Sequence, residues 1–310
     1  MNNKKTIILA VVLIALVGLA FAYQGPIKQW QENVSKQKNF LAAINTEKID
    51  KIVVAKNGET TLEKGSDGWL VGDLPTDQAG TKFKAGKLAV QEVLDKLSNA
   101  ATAQLELVST NKAKKADFKT DSSGVTVKIY QAGKEIAKLV VGKVAGDYQS
   151  SYIASPDTDS TYLLKGVNLS YALDKTDWRE RVIFVGEAAK FSKLRIQQGK
   201  VQFTADLSGE KWTAEDAKKT PLNKDKVGKI IALMANLTAA DIPAQDFKTA
   251  GLEKNQLIVE ASGSGVKNTL MVGNDNGKGM FYAKSGDSDI IYLISQADRD
   301  ELNKNQAQLK

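Results

Sequence analysis

The chain contains no histidine and no cysteine in 310 residues, and only 5 prolines. Those absences exclude a Ser-His-Asp triad, a cysteine nucleophile, a His/Cys zinc site, an iron–sulfur cluster and a disulfide framework. The chemistry left open is that of carboxylates, lysine, serine or tyrosine, or of oxygen-ligand metals, and no cofactor is expected. What is present is a hydrophobic fraction of 42%, enough for real cores, and a length of about two ordinary domains. Lysine and arginine number 43 against 36 acidic residues, a formal charge of +7.

Long apolar runs are scarce, and the one at the N-terminus therefore stands out. Lys4 and Lys5 precede an uninterrupted stretch from Ile7 to Ala22. As a helix it would reach roughly 24 Å, somewhat short of a hydrocarbon core of about 30 Å, with Tyr23 at its boundary. Ala20-Phe21-Ala22 also has the small-x-small form of a signal-peptidase site. Tyr23 and Trp30, amphipathic aromatics suited to a lipid interface, favour a retained anchor over cleavage before Tyr23. Either way the expectation is an extracytoplasmic protein: single-pass with its N-terminus inside, or secreted if cleaved after Ala22. Between Pro26 and Ile44, the residues Ile27, Trp30, Val34, Leu41 and Ile44 recur at helical spacing and predict a stalk. Ser35 and Lys38 match a Ser-x-x-Lys spacing, but the other signature elements of such acyl-transfer enzymes are absent and a solvated helix face accounts for both.

The remainder of the chain repeats itself. Asp117-Phe118-Lys119-Thr120 recurs as Asp246-Phe247-Lys248-Thr249. Ahead of it Trp69 matches Trp212. Behind it Gly142 matches Gly273 at the end of an apolar strand, then Tyr152 matches Tyr282 and Tyr162 matches Tyr292. In each copy, alternating apolar residues predict strands at Ile52/Val54 and Leu194/Ile196, leading through a second strand to the Trp. A helix follows, with Phe83, Val90, Leu94 and Leu97 on one stripe in copy one and Val227, Ile230, Met234 and Leu237 in copy two. Further alternation at Val125/Val127/Ile129 and Leu257/Val259/Ala261, then the Val-Gly and Tyr strands, completes a meander. The order predicts an α+β class: a membrane helix, then two similar domains, each a mainly antiparallel sheet with a helix on one face. The expected organisation is an anchor or signal segment at 1–23, a stalk at 24–46, a first repeat at 47–175, a linker at 176–189, a second repeat at 190–296 and a polar tail at 297–310.

These features resemble the bacterial family of domain of unknown function 4340 (DUF4340), whose members carry an N-terminal membrane segment and repeated units. The resemblance rests on Trp69 and Trp212, on Phe247 with Gly251-Leu252, on Gly142 and Gly273, and on the four tyrosines, over about residues 48–295. Copy one departs from it with Asp121-Ser122 in place of Gly-Leu, and it alone is followed by Asp177-Trp178-Arg179-Glu180-Arg181. Members are often encoded beside gliding-motility-type ABC transporter subunits, which implies an accessory role by association.

Candidate sites are few. Asp157 and Asp159, and Asp287 and Asp289 in the second copy, are weak metal candidates on turns that lack the glycine and distal glutamate of a calcium loop. Asn274 to Gly279 reads as a turn, having the wrong order for a phosphate-cradling loop. Lys112, Lys114, Lys115 and Lys119 suggest contact with anionic lipid or an acidic polymer, or simply a solvated surface. The matched aromatics read as core. Nucleic acid is not an expected partner; the membrane and an envelope or transporter protein are. The resulting expectation is a non-enzymatic accessory protein, with an envelope polymer-binding protein or a carboxylate-dependent hydrolase as the alternative.

Overall fold

The computed structural model describes residues 13, 16–18 and 39–310, apart from 57, 73–82, 174–176 and 255–256. The expected span Ile7–Ala22 falls almost wholly outside the described residues, as do Tyr23, Trp30, Ser35 and Lys38. Among the described residues no helix is long and apolar enough to cross a membrane.

The chain is α+β and forms two compact units, Met1–Leu70 with Lys87–Trp178, and Val71–Gly86 with Arg179–Lys310. The first contains β1 (Ile49–Ala55), β2 (Glu59–Gly65), most of β3 (Gly68–Gly72), α1 (Lys87–Thr102), β5 (Leu105–Ser109), α2 (Lys115–Phe118), β6 (Val125–Gln131), β7 (Lys134–Val144), β8 (Ser151–Ala154), β9 (Thr161–Leu164) and α3 (Leu169–Leu173); β4 (Phe83–Lys84) belongs to the second. The strands of the first unit lie in the order β3-β2-β1-β6-β7-β8-β9-β5. The described strand pairings in this sheet are antiparallel, so short turns suffice where consecutive strands are neighbours. Ile52, Val54, Val127, Ile129, Leu139 and Ile153 are buried by the period-2 alternation, and α1 contributes Val90, Val93, Leu97 and Ala100. The helical stripe is thus rotated from the predicted one: Val93 is buried, Leu94 is half-buried, and Phe83 lies in a strand before the helix.

The second unit contains β10 (Val182–Phe184), β11 (Lys193–Gln198), β12 (Val201–Ser208), β13 (Lys211–Ala214), α4 (Lys224–Ala235), β14 (Leu237–Thr238), α5 (Phe247–Ala250), β15 (Leu257–Gly263), β16 (Val266–Asp275), β17 (Met280–Ser285), β18 (Ile291–Ser295) and α6 (Gln296–Leu302). Its sheet order, β13-β12-β11-β15-β16-β17-β18, repeats the first from β3 to β9, with no counterpart to β5 in the sheet. Asn223 caps α4 by accepting from the N–H groups of Asp225 and Lys226. Val227, Ile230, Ile231 and Met234 then face the sheet. Leu237 is buried as predicted for the core, but in β14 rather than on the helix.

The repeat extends to turns. Ala132-Gly133 and Ser264-Gly265 both close hairpins with two residues at positive φ, as a type I′ turn requires.

Three boundary segments differ from expectation. Residues 297–310 do not form a polar tail: Leu302 and Leu309 are buried in the second core, and the Leu309 carbonyl accepts from Asn223 N–H at 2.7 Å. Burial of these two apolar side chains outweighs the polar majority around them. In the predicted linker, Trp178 is buried, Glu180 N–H donates to Lys84 O at 2.7 Å, and β10 pairs with β14. At the end of the predicted stalk, Leu41 is buried in the first unit, and Asn39 Nδ2 donates to the carbonyls of Ala100 and Ala103 at the end of α1. Those carbonyls are the orphan acceptors of a helix terminus, so the asparagine ties the entering chain to it.

Candidate functional site

The short helix α2 ends at Lys119, which adopts the left-handed conformation at φ 53°, and its turn docks on β7. Gly142 makes the docking possible. A Cβ there would lie 2.1 Å from the Phe118 carbonyl oxygen, closer than any side chain permits. In the second unit a Cβ on Gly273 would lie 2.0 Å from the Ala250 carbonyl oxygen, and α5 ends at Gly251 with φ 65°. The matched glycines therefore mark one structural device used twice.

That device also corrects the register of the repeat. Phe118 corresponds to Ala250 and Lys119 to Gly251, so the identical Asp-Phe-Lys-Thr tetrapeptides do not occupy equivalent places. Asp246 is the N-cap of α5, accepting from Lys248 and Thr249 N–H, whereas Asp117 sits inside α2. Phe118 is half-buried and packs on Tyr152 with ring centroids 4.6 Å apart; Phe247 is 42% exposed. The other matched aromatics lie in the sheets: Trp212, Tyr162 and Tyr292 are buried, and Trp69, Tyr152 and Tyr282 are half-buried.

Beside the Gly142 docking point is an open cleft of about 580 Å³ in the first unit. Its floor is built of β6, β7 and the start of α3. Ser170 Oγ donates to Gly142 O at 2.8 Å and lies 2.9 Å from Ser151 Oγ, while Asn168 Oδ1 accepts from Tyr171 N–H at 3.0 Å. Asn168 Nδ2 donates to Tyr148 O at 3.0 Å, linking floor to rim. Lys56, Lys119 and Lys143, all exposed, line the cleft together with Tyr148 and Tyr171. Among the described residues, its lining includes no carboxylate. Two acids beside the cleft are held by neighbouring serines, one of them the lining residue Ser123. Asp121 accepts from the hydroxyl and N–H of Ser123, and Asp147 from the hydroxyl and N–H of Ser150. The serine hydroxyls are the leading reason that both carboxyls are held below the usual aspartate range.

The second unit has a cleft of about 460 Å³ at the matching place, lined by Gln198, Leu257, Val272 and Gly273 and covered by Arg299 and Asn303 of the C-terminal segment. Strand register equates Lys56 with Gln198, and the glycine docking equates Lys143 with Asn274 and Lys119 with Gly251. The three lysines of the first cleft thus have neutral counterparts. Gln198 Nε2 donates to Asn303 O at 3.0 Å, and Arg299 lies over the Phe281 ring and pairs with Asp300.

The weak metal candidates are not brought together. Asp157 and Asp159 are exposed, Asp287 N–H donates to Ser285 Oγ, and Asp289 pairs with Lys284 at 3.5 Å. Among the described residues no three acidic side chains cluster as metal ligands would. Of the lysine run, Lys119 reaches the cleft, while Lys115 Nζ donates to the Thr158 carbonyl. Of residues 274–279, Asn274 and Asp275 end β16 and 276–279 form the turn to β17, with Asn276 Oδ1 accepting from Lys278 and Met280 N–H. Sequence reasoning passed over Lys56, Lys143, Tyr148 and Tyr171. The available signal was the positions where the two copies differ, which a search for matches discards.

No curated protein and no solved structure matches this chain. A family model described as "Domain of unknown function (DUF4340)" matches it twice, over residues 76–243 and 212–310. The second match begins at Trp212 in β13 and ends with the last residue, so it takes in the folded C-terminal segment. The two overlapping matches accord with the duplicated sheet order, and the chain belongs to the DUF4340 family as a tandem-repeat member.

Proposed function

We propose that this protein is a non-enzymatic, extracytoplasmic accessory module, held at the membrane by Ile7–Ala22 and serving an ABC-type transport or other envelope system. The observation that carries the reading is how the two units compare. They share sheet order, hairpin turns and glycine docking, yet differ at all three cleft lysines. A duplicated frame with divergent surfaces suits recognition of a partner, whereas duplicated chemistry would keep its reactive side chains. The leader, with Lys4 and Lys5 ahead of an apolar run, supports export and anchoring. Its test is crosslinking in intact cells with the N-terminal segment present, followed by mild detergent extraction. An integral envelope protein should be captured, and changing Asp157, Asp159, Asp287 and Asp289 to Asn should leave the phenotype intact. Capture of no envelope protein, with loss of function in the Asp→Asn variants, would overturn the adaptor in favour of carboxylate chemistry. The mass of the mature protein separately distinguishes anchor from cleaved leader.

A further inference from the structure

The geometry points to the cleft beside Gly142 as a binding site for an acidic saccharide, a sugar bearing a carboxylate or phosphate. Four observations meet there. First, Lys56, Lys119 and Lys143 line one concavity with no carboxylate among its described lining residues, so an anion entering it meets three ammonium groups in the wall and no like charge there. Second, Tyr148 and Tyr171 stand on the same rim at 79% and 68% exposure, although large aromatic side chains are ordinarily withdrawn from water. A phenol ring offers an apolar face and a polar edge, which is also the surface pattern of a pyranose. Third, two of these residues are held in a conformation that L-residues avoid: φ is 53° at Lys119 and 58° at Tyr148. Such a conformation persists only where the surroundings impose it, at Lys119 through the docking of α2 on Gly142, so this part of the rim is fixed in place. Fourth, the fold does not require the lysines. At the equivalent places the second unit carries Gln198, Gly251 and Asn274 on the same sheet order.

Size and composition choose the ligand class. The cleft of about 580 Å³ is the size of a small-molecule site. Lysine is depleted where proteins bury surface against one another, which disfavours an acidic protein segment. A lysine ammonium is a point charge that serves a carboxylate or a phosphate equally, so the acid group itself is left open within the class. The inference does not depend on the location or partner of the protein, and its failure would leave the accessory reading standing.

Calorimetric titration of the full chain in a sugar-free detergent tests it, with a galacturonic acid trisaccharide and glucose 6-phosphate as acidic probes. Maltotriose, inorganic phosphate and tetraglutamate serve as comparisons. At least one acidic sugar should bind saturably at one site, and maltotriose should not. The triple variant Lys56→Gln, Lys119→Gly, Lys143→Asn, which installs the second unit's residues, should bind at least tenfold more weakly with an unchanged circular dichroism spectrum. Should that variant fail to fold, Lys56→Gln and Lys143→Asn singly carry the test. Tyr148→Ala and Tyr171→Ala should weaken the acidic sugar while leaving any binding of inorganic phosphate unchanged. Absence of saturable binding by both acidic sugars overturns the inference, as does undiminished binding in the lysine variants. Equal affinity for inorganic phosphate would reduce the cleft to a simple anion site, and tighter binding of tetraglutamate would assign it to an acidic peptide; either result overturns the saccharide.

Discussion

Gly142 and Gly273 are conserved between the two units because a backbone carbonyl occupies the space of a side chain, not because either must turn. Alanine at either place puts a Cβ about 2 Å from that oxygen, and only displacement of α2 or α5 from the sheet relieves it. Gly142→Ala and Gly273→Ala should each destabilise their unit by about 2–4 kcal/mol, read from the denaturation midpoint at unchanged m-value. A different residue-scale effect is expected at Asp216. Its carboxylate accepts from the backbone N–H and the hydroxyl of Thr220, and then from Gln306 Nε2, which together hold its pKa far below the ordinary aspartate value. A carboxyl whose folded pKa is depressed adds stability above its unfolded pKa and loses it as pH falls toward the folded one. Asp216→Asn should therefore lower the thermal midpoint at pH 7, with the difference from the parent shrinking as pH falls below about 4.

At the scale of elements, the hairpin between β6 and β7 turns through Ala132 at φ 50° and Gly133 at φ 73°. The first position of a type I′ turn suits asparagine far better than alanine. Ala132→Asn should stabilise the first unit by about 1 kcal/mol, a rise of a few degrees in its melting temperature. Elements of this kind also show where reading the sequence succeeds. Alternation identified strands correctly in β6, β11 and β15, because one face of each is buried and period 2 records that directly, and also in β1, where Val53 is buried on the opposite face as well. The short elements were illegible. Helices α2 and α5 have only four residues each, too few for any periodicity, and their placement depends on carbonyls meeting Gly142 and Gly273 across the sheet. The identical tetrapeptide therefore suggested a register that backbone docking overrules. The cleft was hidden for a related reason: Lys56, Lys119, Lys143, Tyr148 and Tyr171 come from separate loops and ends of elements, and only the fold collects them.

For the whole molecule, two units rather than one core mean that damage to one need not unfold the other. The C-terminal segment is the sharpest probe of that independence. Leu309 is buried, its carbonyl holds the N-cap residue of α4, and Lys226 Nζ donates to the carbonyls of Gln308 and Lys310. Removing residues 303–310 should make the second unit susceptible to limited proteolysis while fragments of the first survive, as mass spectrometry of the digest would show. The glycine docking has a kinetic corollary. It brings Phe118 against Gly142 and Ala250 against Gly273 across only about two dozen residues, so each unit carries a short-range closure beside its long-range strand pairings. Such a closure is inexpensive in chain entropy and available early, which makes it a natural nucleus. In stopped-flow measurements, substitutions at these glycines should then appear mainly as slower refolding, with the unfolding limb of the chevron little changed.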